Sequence, residues 1–283
     1  MLLIYVLLGI LVCFPPVLFF LIWPGRSTRS MRAPFERRNF AHRGLHTPDK
    51  SVPENSLAAF RDAVRAGYGI ELDIQFTKDE QIVVFHDDTL DRVCGVHGRV
   101  DDYTLKELTS FSLCGTGEKI PLFSEVLSLV GGRVPLIVEL KSGRKNSLLC
   151  SKSLRLLRRY QGPYCVESFN PLIVAWFRFH APDILRGQLS ASIAEFREES
   201  SVFRAFFLSY LLTNVAARPH FIAYDKKTRP FTAGLAELLG AMSVVWTVRP
   251  GDPIDKIAAF HDAVIFEFYR PPIRNRRGSA SRR

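Results

Sequence analysis

Charged residues at two-residue spacing interrupt two otherwise apolar runs of the chain. Glu71 and Asp73 lie in the run GIELDIQ, and Glu139 lies in VPLIVELK, two residues before Lys141. Alternate residues of a β-strand point to the same side, so each pair would face one side of its strand. A buried carboxylate without a partner costs several kcal/mol, so a cation has to accompany the three acids. Oxygen ligands, with no cysteine and no HxxxH spacing beside them, favour Ca²⁺ or Mg²⁺ over zinc or copper.

Two histidines and two cations stand close to the same runs. His42 and Arg43 end the run NFAHR, and His86 follows a short turn after the run that holds Asp73. Imidazole titrates near neutral pH and can serve as general base or general acid, while Arg43 and Lys141 suit a phosphate oxyanion. Each residue alone has an ordinary structural explanation, such as a hydrogen-bonded core histidine or an ion pair at a rim. Together they predict metal-assisted phosphoryl transfer.

The elements that must hold these residues follow from a repeat of short apolar runs and amphipathic, helix-like segments after residue 38. The eight runs are NFAHR (39–43), GIELDIQ (69–75), VPLIVELK (134–141), YCVESF (164–169), ILRGQLS (184–190), HFIAYD (220–225), SVVWTV (243–248) and DAVIFEF (262–268). This alternation predicts an α/β fold, a closed (β/α)8 TIM barrel whose site lies at the C-terminal strand ends, where Trp246 also lies. A doubly wound open sheet is the alternative, and the lack of a Gly-rich phosphate loop after the first run disfavours it.

The interval between the second and third runs is too long for one crossover. It predicts a small insertion after the second strand, over about residues 77–120, that begins with a hairpin. A turn centred between Asp79 and Glu80 can join antiparallel strands only. It would set Asp73 opposite His86 and so return the histidine to the mouth of the barrel.

Eight motifs that occur in order connect the chain with a known family. They are AHRG (41–44), PENSLAAF (53–60), GIELDIQFTKDEQIVVFHDDTLDR (69–92), GRVDDYTLKEL (98–108), IPLFSEVL (120–127), VELK (138–141), SFN (168–170) and WTV (246–248). With this set the chain resembles the glycerophosphodiester phosphodiesterase family over roughly residues 39–270. The resemblance implies a TIM barrel with a small insertion, and hydrolysis of glycerophosphodiesters to an alcohol and sn-glycerol 3-phosphate. In the family's usual mechanism a glycerol hydroxyl attacks phosphorus, and water then opens a cyclic phosphate.

The resemblance also implies roles for the positions that match these motifs. Acid/base catalysis falls to His42 and His86, ligation of one Ca²⁺ or Mg²⁺ to Glu71, Asp73 and Glu139, and substrate or phosphate binding to Arg43, Lys141, Glu54, Asn55 and Trp246. The last run, VIFEFYRPP, departs from the Thr-Asp pair of many members, and Glu267 is the expected substitute for that aspartate. Of the remaining histidines, His46 and His97 are expected to come closest to the mouth.

Three functions remain open on this basis. The first is hydrolysis of glycerophosphodiesters, and the second is a lysophospholipase D activity on lysophospholipids, because the same phosphate chemistry serves both. The third, from a different class, is a catalytically inactive, membrane-bound lipid-binding module. Its expected signature is a missing ligand or histidine, and every candidate residue is present.

The basic charge of the chain resides at its two ends. Residues 26–38 hold five arginines and one glutamate, and residues 270–283 hold six arginines and no acid. The remainder has 38 − 11 = 27 basic and 28 − 1 = 27 acidic residues. A neutral body argues against a nucleic-acid partner, which would require a basic surface on the domain. The tail 271–283 is expected to be disordered, and both basic ends are candidates for contact with anionic lipid.

The first 23 residues carry no charged side chain, and about 20 apolar residues span a bilayer core. Residues 1–25 are therefore expected to be a retained, single-pass transmembrane helix at the cell membrane. A cleaved signal peptide is the alternative, which fits poorly without a basic start or a small-residue cleavage site. The arginines of the following linker, residues 26–38, place the barrel (39–270) in the cytoplasm by the positive-inside rule. Five cysteines without disulfide-like spacing agree with a reducing compartment.

The stretch 201–217 is unusually rich in Phe, Leu and Tyr. At helical spacing Phe203, Phe207, Tyr210 and Leu211 would form one broad apolar face. The stretch therefore predicts either an outer barrel helix packed on its strands or a patch that dips into lipid beside the anchor.

Overall fold

The computed structural model of the chain describes residues 2–198 and 200–273, and the side chains of all of these except 2–4 and 6–11. The strands are β1 (Arg38–Ala41), β2 (Gly69–Phe76), β3 (Ile82–Val84), β4 (Leu136–Leu140), β5 (Tyr164–Ser168), β6 (Arg186–Ser190), β7 (Phe221–Asp225), β8 (Met242–Val248) and β9 (Ala263–Phe266). The helices are α1 (Leu2–Ile22), α2 (Arg29–Arg32), α3 (Leu57–Ala66), α4 (Asp91–Cys94), α5 (Leu105–Leu108), α6 (Phe123–Val130), α7 (Asn146–Leu157), α8 (Pro171–His180), α9 (Ile193–Arg197), α10 (Val202–Ser209), α11 (Asn214–Ala217), α12 (Phe231–Leu238) and α13 (Ile254–Phe260). Most of the predicted basic tail, from residue 274 onward, lies outside the described residues.

Within the described residues, eight parallel strands close into a barrel. Their order is β1-β2-β4-β5-β6-β7-β8-β9, and β9 pairs back onto β1. Each strand of the barrel coincides with one of the eight predicted apolar runs, so the TIM barrel is confirmed. The open-sheet alternative is wrong, because β1 has a parallel partner on both sides.

The interior of the barrel is apolar below the mouth. Phe40, Ile137, Phe221 and Ile265 belong to one buried cluster that fills it. Phe35, from the segment before β1, is buried and stacks on Phe40 with ring centroids 6.2 Å apart. The end at which the strands begin is therefore closed, and the opposite end is the one available to a substrate.

The outer helices each bury an apolar face against the strands, as α3 illustrates. Ala59, Phe60 and Ala63 are buried, Ser56 caps the helix by accepting a hydrogen bond from the Ala59 N–H, and Gly67 ends it at φ +79°. A side-chain cap and a left-handed glycine are the usual start and stop of a helix. The position of this N-cap matters for the site, because the candidate residues Glu54 and Asn55 directly precede it.

The insertion begins with β3, which runs antiparallel to β2. The predicted register is wrong by one residue, since the Phe85 N–H donates to the Asp73 carbonyl at 3.0 Å and His86 lies one position further on. The turn centres on Asp79, with Glu80 at φ +59°, as three-residue hairpin loops require. The insertion has a hydrophobic core of its own, formed by Val83, Phe85, Leu90, Val93, Val100, Leu108, Leu113 and Ile120.

The segment before β1 packs against the end of the barrel at which the strands begin. The predicted linker 26–38 contains α2, and the Arg37 N–H donates to the Asp262 carbonyl at 2.6 Å. Further towards the N-terminus, the Gly25 N–H donates to the Pro219 carbonyl at 2.9 Å. Within the part of the chain that the structure describes, no helix combines the length and the apolar character needed to cross a membrane.

The stretch 201–217 forms α10 and α11 rather than one helix, with Leu211 between them at φ +59°. α10 buries Ala205 and Leu208 against the barrel, as an outer helix does, and leaves Phe203 exposed. The contact of this stretch with lipid stays a prediction.

Candidate active site

Three carboxylates converge at the end of the barrel where the strands finish. Glu71 and Asp73 on β2 and Glu139 on β4 are buried, and each offers one oxygen within 4.8 Å of the oxygens of the other two. β2 and β4 are adjacent parallel strands with Asp73 opposite Glu139, so the two-residue alternation turns all three inward. The structure thus brings together the residues predicted to hold a cation; they are called the acidic cluster below.

His42 lies beside the acidic cluster, directly after β1. Its Nδ1 is 2.9 Å from Oε2 of Glu267, and its Nε2 is 4.0 Å from Oε2 of Glu71. Glu267 directly follows β9 and also accepts a hydrogen bond from Nε of Arg249. A carboxylate that accepts the Nδ1–H of a histidine leaves Nε2 free to accept a proton. Glu267 is therefore positioned to orient His42. The sequence predicted only that Glu267 substitutes for the aspartate of the Thr-Asp pair.

His86 enters the site from the irregular segment that follows β3. Its Nδ1 lies 2.6 Å from Oδ1 of Asp87, and Arg92 holds Asp87 with hydrogen bonds of 2.6 and 2.9 Å. Arg92 in turn donates from both Nη atoms to Glu54 at 2.7 Å. Both candidate acid/base residues are thus oriented by a carboxylate. Neither Asp87 nor Arg92 was singled out from the sequence. The signal for Asp87 was the run HDDTLDR, in which an acid directly follows the histidine.

Arg43 and Asn55 turn their polar groups onto the acids through left-handed backbone, at φ +54° and +53°. The Arg43 N–H donates to Oε2 of Glu71 at 2.9 Å, and its Nη1 donates to Oε1 of Glu54 at 2.7 Å. Nδ2 of Asn55 donates to Oδ2 of Asp73 at 2.9 Å. Residues other than glycine at positive φ are uncommon and cluster at functional sites.

Two cations stand over the acidic cluster. Nζ of Lys141 lies 2.9 Å from Oε1 of Glu139 and 3.7 Å from Oδ1 of Asp73. Nε of Arg43 lies 3.6 Å from Oδ2 of Asp73 and, among the described residues, has no hydrogen-bond partner. Guanidinium and ammonium groups with unused donors are suited to bind phosphate oxygens.

Burial and mutual charge shift the titration of these groups in different directions. Burial raises the pKa of Glu71 well above its usual value, and the charge of Asp73 adds to the effect. Burial also acts on Asp73, but the surrounding cations, with His86 first among them, hold the pKa of Asp73 well below its usual range. Burial and then the charge of Arg43 lower the pKa of His42 to about 4, so its imidazole is neutral at pH 7.

The acidic cluster fits a divalent cation. Its three buried carboxylates supply only oxygen ligands. Burial, with the charges of Asp73 and Glu139, raises the pKa of Glu71, so the charged form of this carboxyl is penalised in the cluster. A doubly charged ion among the three oxygens would remove that penalty, and all-oxygen sites suit Ca²⁺ and Mg²⁺.

Glu167 on β5 is a fourth buried carboxylate beside the cluster, and it was not predicted as a site residue from the sequence. It lies opposite Glu139 on the neighbouring strand, and its Oε2 has no hydrogen-bond partner among the described residues. Burial, with repulsion from Glu139, raises the pKa of Glu167 well above its usual value. Its signal was the same as that of the predicted ligands, an acid in the apolar run YCVESF. Gln75 is a further supporting residue, because its Nε2 donates to the carbonyls of Phe85 and Asp87 and so ties the histidine segment to β2.

Aromatic side chains form another part of the mouth. Trp246 on β8 packs edge-on against Phe169 with centroids 5.8 Å apart, and Phe169 meets Phe196 of α9 at 5.9 Å. A cleft of about 540 Å³ runs from His86 and Glu139 to Phe169 and Phe196. Trp246 is therefore on the rim, as predicted, in contact with the aromatic side of the cleft.

The two further histidines expected near the mouth behave differently. Nε2 of His46 lies 3.8 Å from Oε2 of Glu267, so His46 borders the site. His97 is exposed on the insertion and pairs there with Asp91 at 3.0 Å.

The chain is similar to several known proteins. The sequence profile of the glycerophosphoryl diester phosphodiesterase family matches residues 42–260. A glycerophosphodiester phosphodiesterase of Caldanaerobacter subterraneus is 45% identical over 111 residues, which are 36% of this chain and 44% of that protein. Lysophospholipase D GDPD1 of Rattus norvegicus is 33% identical over 153 residues, 49% of this chain and 46% of that protein. The chain thus matches less than half the length of these relatives.

A solved structure shares the fold. It is a phosphodiesterase of Oleispira antarctica in complex with the product sn-glycerol-3-phosphate, and it superposes with a TM-score of 0.68 at 22% identity. The match covers 84% of this chain and 96% of that one.

Proposed function

Because the chain belongs to the glycerophosphoryl diester phosphodiesterase family, we propose that it hydrolyses glycerophosphodiesters to an alcohol and sn-glycerol 3-phosphate. The observation that carries the proposal is the arrangement at the mouth of the barrel. Two histidines, each oriented by a carboxylate, stand beside three convergent buried acids and two cations. Groups that move protons, groups that bind a phosphate and groups that hold a divalent ion are the components of metal-assisted phosphoryl transfer.

In the proposed complex the phosphodiester lies above the acidic cluster. Arg43 and Lys141 donate hydrogen bonds to its non-bridging oxygens, which both binds the substrate and stabilises the charge that develops in the transition state. When bound, a Ca²⁺ or Mg²⁺ held by Glu71, Asp73 and Glu139 supplies further stabilisation of the phosphoryl oxygens.

The histidines move the protons. His42 is neutral at pH 7, so its Nε2 takes the proton of a glycerol hydroxyl as the hydroxyl oxygen attacks phosphorus. The bond between phosphorus and the alcohol oxygen breaks, and His86 gives that oxygen a proton, which leaves a cyclic phosphate. In the second step His86 takes a proton from water, the water oxygen attacks phosphorus, and the ring bond breaks. His42 then returns its proton to the glycerol oxygen.

A lysophospholipid is the second candidate substrate. The aromatic side of the cleft, formed by Phe169 and Phe196, favours this substrate, because the acyl chain attached to the glycerol needs an apolar surface to lie on. The similarity to the rat lysophospholipase D supports the same possibility. A substrate panel of deacylated and monoacylated diesters separates the two candidates, and faster turnover of the monoacylated compounds would favour the second.

We further propose that residues 1–25 hold the enzyme at the cell membrane as a single-pass anchor, with the barrel in the cytoplasm. The support is the uncharged stretch of 23 residues and the arginines that follow it. Extraction of membranes with alkaline carbonate tests the anchor, since an anchored protein stays in the pellet. Recovery of the full chain in the supernatant would exclude it.

The activity is tested by the release of choline from glycerophosphocholine, with and without a chelator. The variants are His42→Ala and Glu71→Ala. We expect His42→Ala to lose about 100-fold or more in kcat, because a positioned acid/base group contributes about that much. Glu71→Ala should also lose activity, because it removes one proposed ligand of the divalent ion. His180→Ala and Glu237→Ala are matched controls, since His180 stacks on Trp176 and Glu237 pairs with Arg229 outside the site. Activity indifferent to both site substitutions would refute the assignment. A folded wild type that binds lipid and hydrolyses nothing would favour the inactive lipid-binding module.

A further inference from the structure

We propose that the end of the barrel opposite the active site is a lipid-facing surface, so that the mouth opens away from the membrane that holds the chain. This end, at which the strands begin, is called the N-terminal face. It consists of residues 20–37 and the loops that lead into the strands. Its occupant is a bilayer containing anionic lipid. The inference goes beyond the catalytic activity, and its consequence for the substrate rests on the proposed function.

The end of α1 is attached directly to the N-terminal face. Nη1 of Arg218 donates to the carbonyls of Phe20 and Trp23 at 2.8 Å each, and its guanidinium lies over the Phe20 ring at 5.0 Å. The Gly25 N–H donates to the Pro219 carbonyl at 2.9 Å. Because residues 218 and 219 directly precede β7, the apolar helix meets the barrel where this strand begins.

The segment that follows α1 is fixed to the N-terminal face by contacts along its length. Nη2 of Arg32 donates to the Gly240 carbonyl in the loop before β8, and the Arg37 N–H donates to the Asp262 carbonyl before β9. Between these two contacts, Phe35 is buried against the barrel interior. A flexible tether would let the barrel tumble relative to α1, whereas these contacts hold its orientation.

Large apolar side chains surround this attachment and are exposed. Leu238, Phe260 and Phe179 are 86, 82 and 70% exposed, and they lie at the ends of α12, α13 and α8. In a (β/α)8 barrel the helices run antiparallel to the strands, so the C-terminal ends of the helices lie at the N-terminal face. Exposed groups of large apolar residues mark surfaces that contact a partner or a membrane. On α1 itself, Phe14 and Val17 are also exposed, which continues the apolar surface.

The same face carries positive charge. Arg26 and Arg29 lie exposed in the segment after α1, and Arg133 and Arg159 lie exposed in the loops before β4 and β5. Each basic residue near an anionic bilayer contributes about 1 kcal/mol of attraction. Apolar side chains bordered by arginines are the composition of interfacial membrane contacts, which is why we choose a bilayer rather than another protein as the occupant.

The other exposed aromatic group of the barrel lies at the opposite end. Phe203 of α10 belongs to it, and α10 is fixed near the mouth because Ser190, the last residue of β6, donates from Oγ to the Leu208 carbonyl at 2.9 Å. The five residues of β7 alone separate the two ends by roughly 16 Å. In the proposed orientation the surface around Phe203 would lie on the side of the barrel away from the bilayer, so this proposal and a lipid patch at 201–217 are alternatives that the test below separates.

For the substrate, the consequence is that the mouth takes its diester from water. A lysophospholipid embedded in the same membrane would have to rise by more than the height of the barrel to reach His42 and His86. The geometry thus favours the water-soluble glycerophosphodiester.

Lipid-borne quenching of site-specific labels tests the orientation in the full chain. Leu238→Cys and Phe260→Cys probe the N-terminal face, and Phe203→Cys is the matched control at the other end. Each carries an environment-sensitive fluorophore in a background in which the exposed or partly exposed cysteines are replaced, by Cys13→Ser, Cys94→Ala and Cys114→Ala. The proteins are reconstituted in phosphatidylcholine–phosphatidylserine vesicles that contain a headgroup nitroxide lipid. We expect quenching at least about threefold stronger at 238 and 260 than at 203, because the length of β7, roughly 16 Å, separates the two ends of the barrel. Equal quenching at both ends, stronger quenching at 203, or failure of the full chain to float with vesicles would overturn the proposal.

Turnover of glycerophosphocholine by the same labelled proteins separates this inference from the proposed function. None of the labelled positions lies in the candidate site, so activity should match that of the wild type. Normal activity with the wrong quenching pattern would overturn the orientation alone. The expected quenching pattern in a protein without activity, wild type included, would instead refute the phosphodiesterase proposal.

Discussion

Glu267→Gln is the substitution that most directly tests how His42 works. The glutamine keeps the size and position of the side chain and removes its charge. In the native chain the carboxylate of Glu267 accepts the Nδ1–H of His42 at 2.9 Å and so holds the tautomer in which Nε2 can take a proton. An amide can either donate to Nδ1 or accept from it, so the variant no longer enforces that tautomer.

The size of the effect follows from the bond that is lost. A hydrogen bond to a charged group contributes about 1.5–3 kcal/mol, which corresponds to about 10- to 150-fold in kcat at 1.36 kcal/mol per factor of ten. The variant should also shift the pH profile. The bond and charge of Glu267 oppose the lowering of the pKa of His42, so without them the pKa falls below about 4. Since His42 must be neutral to accept a proton, the decline of kcat/KM on the acid side moves to lower pH.

The assay is the steady-state hydrolysis of glycerophosphocholine between pH 3 and pH 8, so that the acid limb is covered, with the melting temperature measured over the same pH range. KM should change little, because Glu267 contacts His42 and Arg249 rather than the phosphate-binding groups. Glu237→Gln, on α12, is the matched control and should behave like the wild type. A Glu267→Gln protein that melts normally and keeps its kcat within a factor of two would refute the role assigned to this pair.

Three further predictions follow from burial in the barrel. Glu71→Gln should raise the melting temperature of the metal-free protein, because it removes charge from a buried acidic cluster. The same substitution should weaken Ca²⁺ binding about 10-fold or more, measured by calorimetry. An unchanged Ca²⁺ affinity would contradict the ligand assignment. Burial lowers the pKa of His220 to about 3, so the stability that its neutral form contributes is present above about pH 6.5 and is lost as the pH falls towards 3. His220→Gln should therefore remove about 3 kcal/mol of the loss between pH 7 and pH 4, measured by urea unfolding, whereas the exposed His180→Gln should follow the wild type. In Gly187→Ala the new Cβ would lie 2.0 Å from the Phe221 ring, so we expect a loss of about 1–3 kcal/mol of unfolding free energy, and wild-type stability would show that the ring can move.

Much of the site was accessible from sequence because strand geometry is local. A period of two residues places Glu71 and Asp73 on one side of β2 whatever surrounds the strand, and the same holds for Glu139 and Lys141 on β4. Parallel strands then bring their C-terminal ends together, so the convergence of the acids follows from the pattern and the fold class alone.

The residues that sequence reasoning missed are those whose role depends on a contact distant in sequence. Glu167 stands in an apolar run like the predicted ligands, but only the barrel brings it against Glu139, where its Oε2 has no hydrogen-bond partner within the described part of the chain. Arg92 is one of 38 basic residues in the chain, and nothing in its neighbourhood indicates that it bridges Glu54 and Asp87. The predicted hairpin register was wrong for a related reason. Glu80 adopts a left-handed conformation, which makes a three-residue turn centred on Asp79 instead of a turn centred between Asp79 and Glu80.

The sequence by itself determined the number of strand–helix units, the sides on which the acids and histidines stand, and the family to which the chain belongs. These properties depend on residue type and on the short periods of strand and helix, which act over a few neighbours. Only the tertiary structure decided that Glu267 orients His42 across 225 positions and that the segment after α1 closes the end of the barrel opposite the active site. Those contacts form only when the last strand pairs with the first, because barrel closure is a property of the whole chain and of no segment within it.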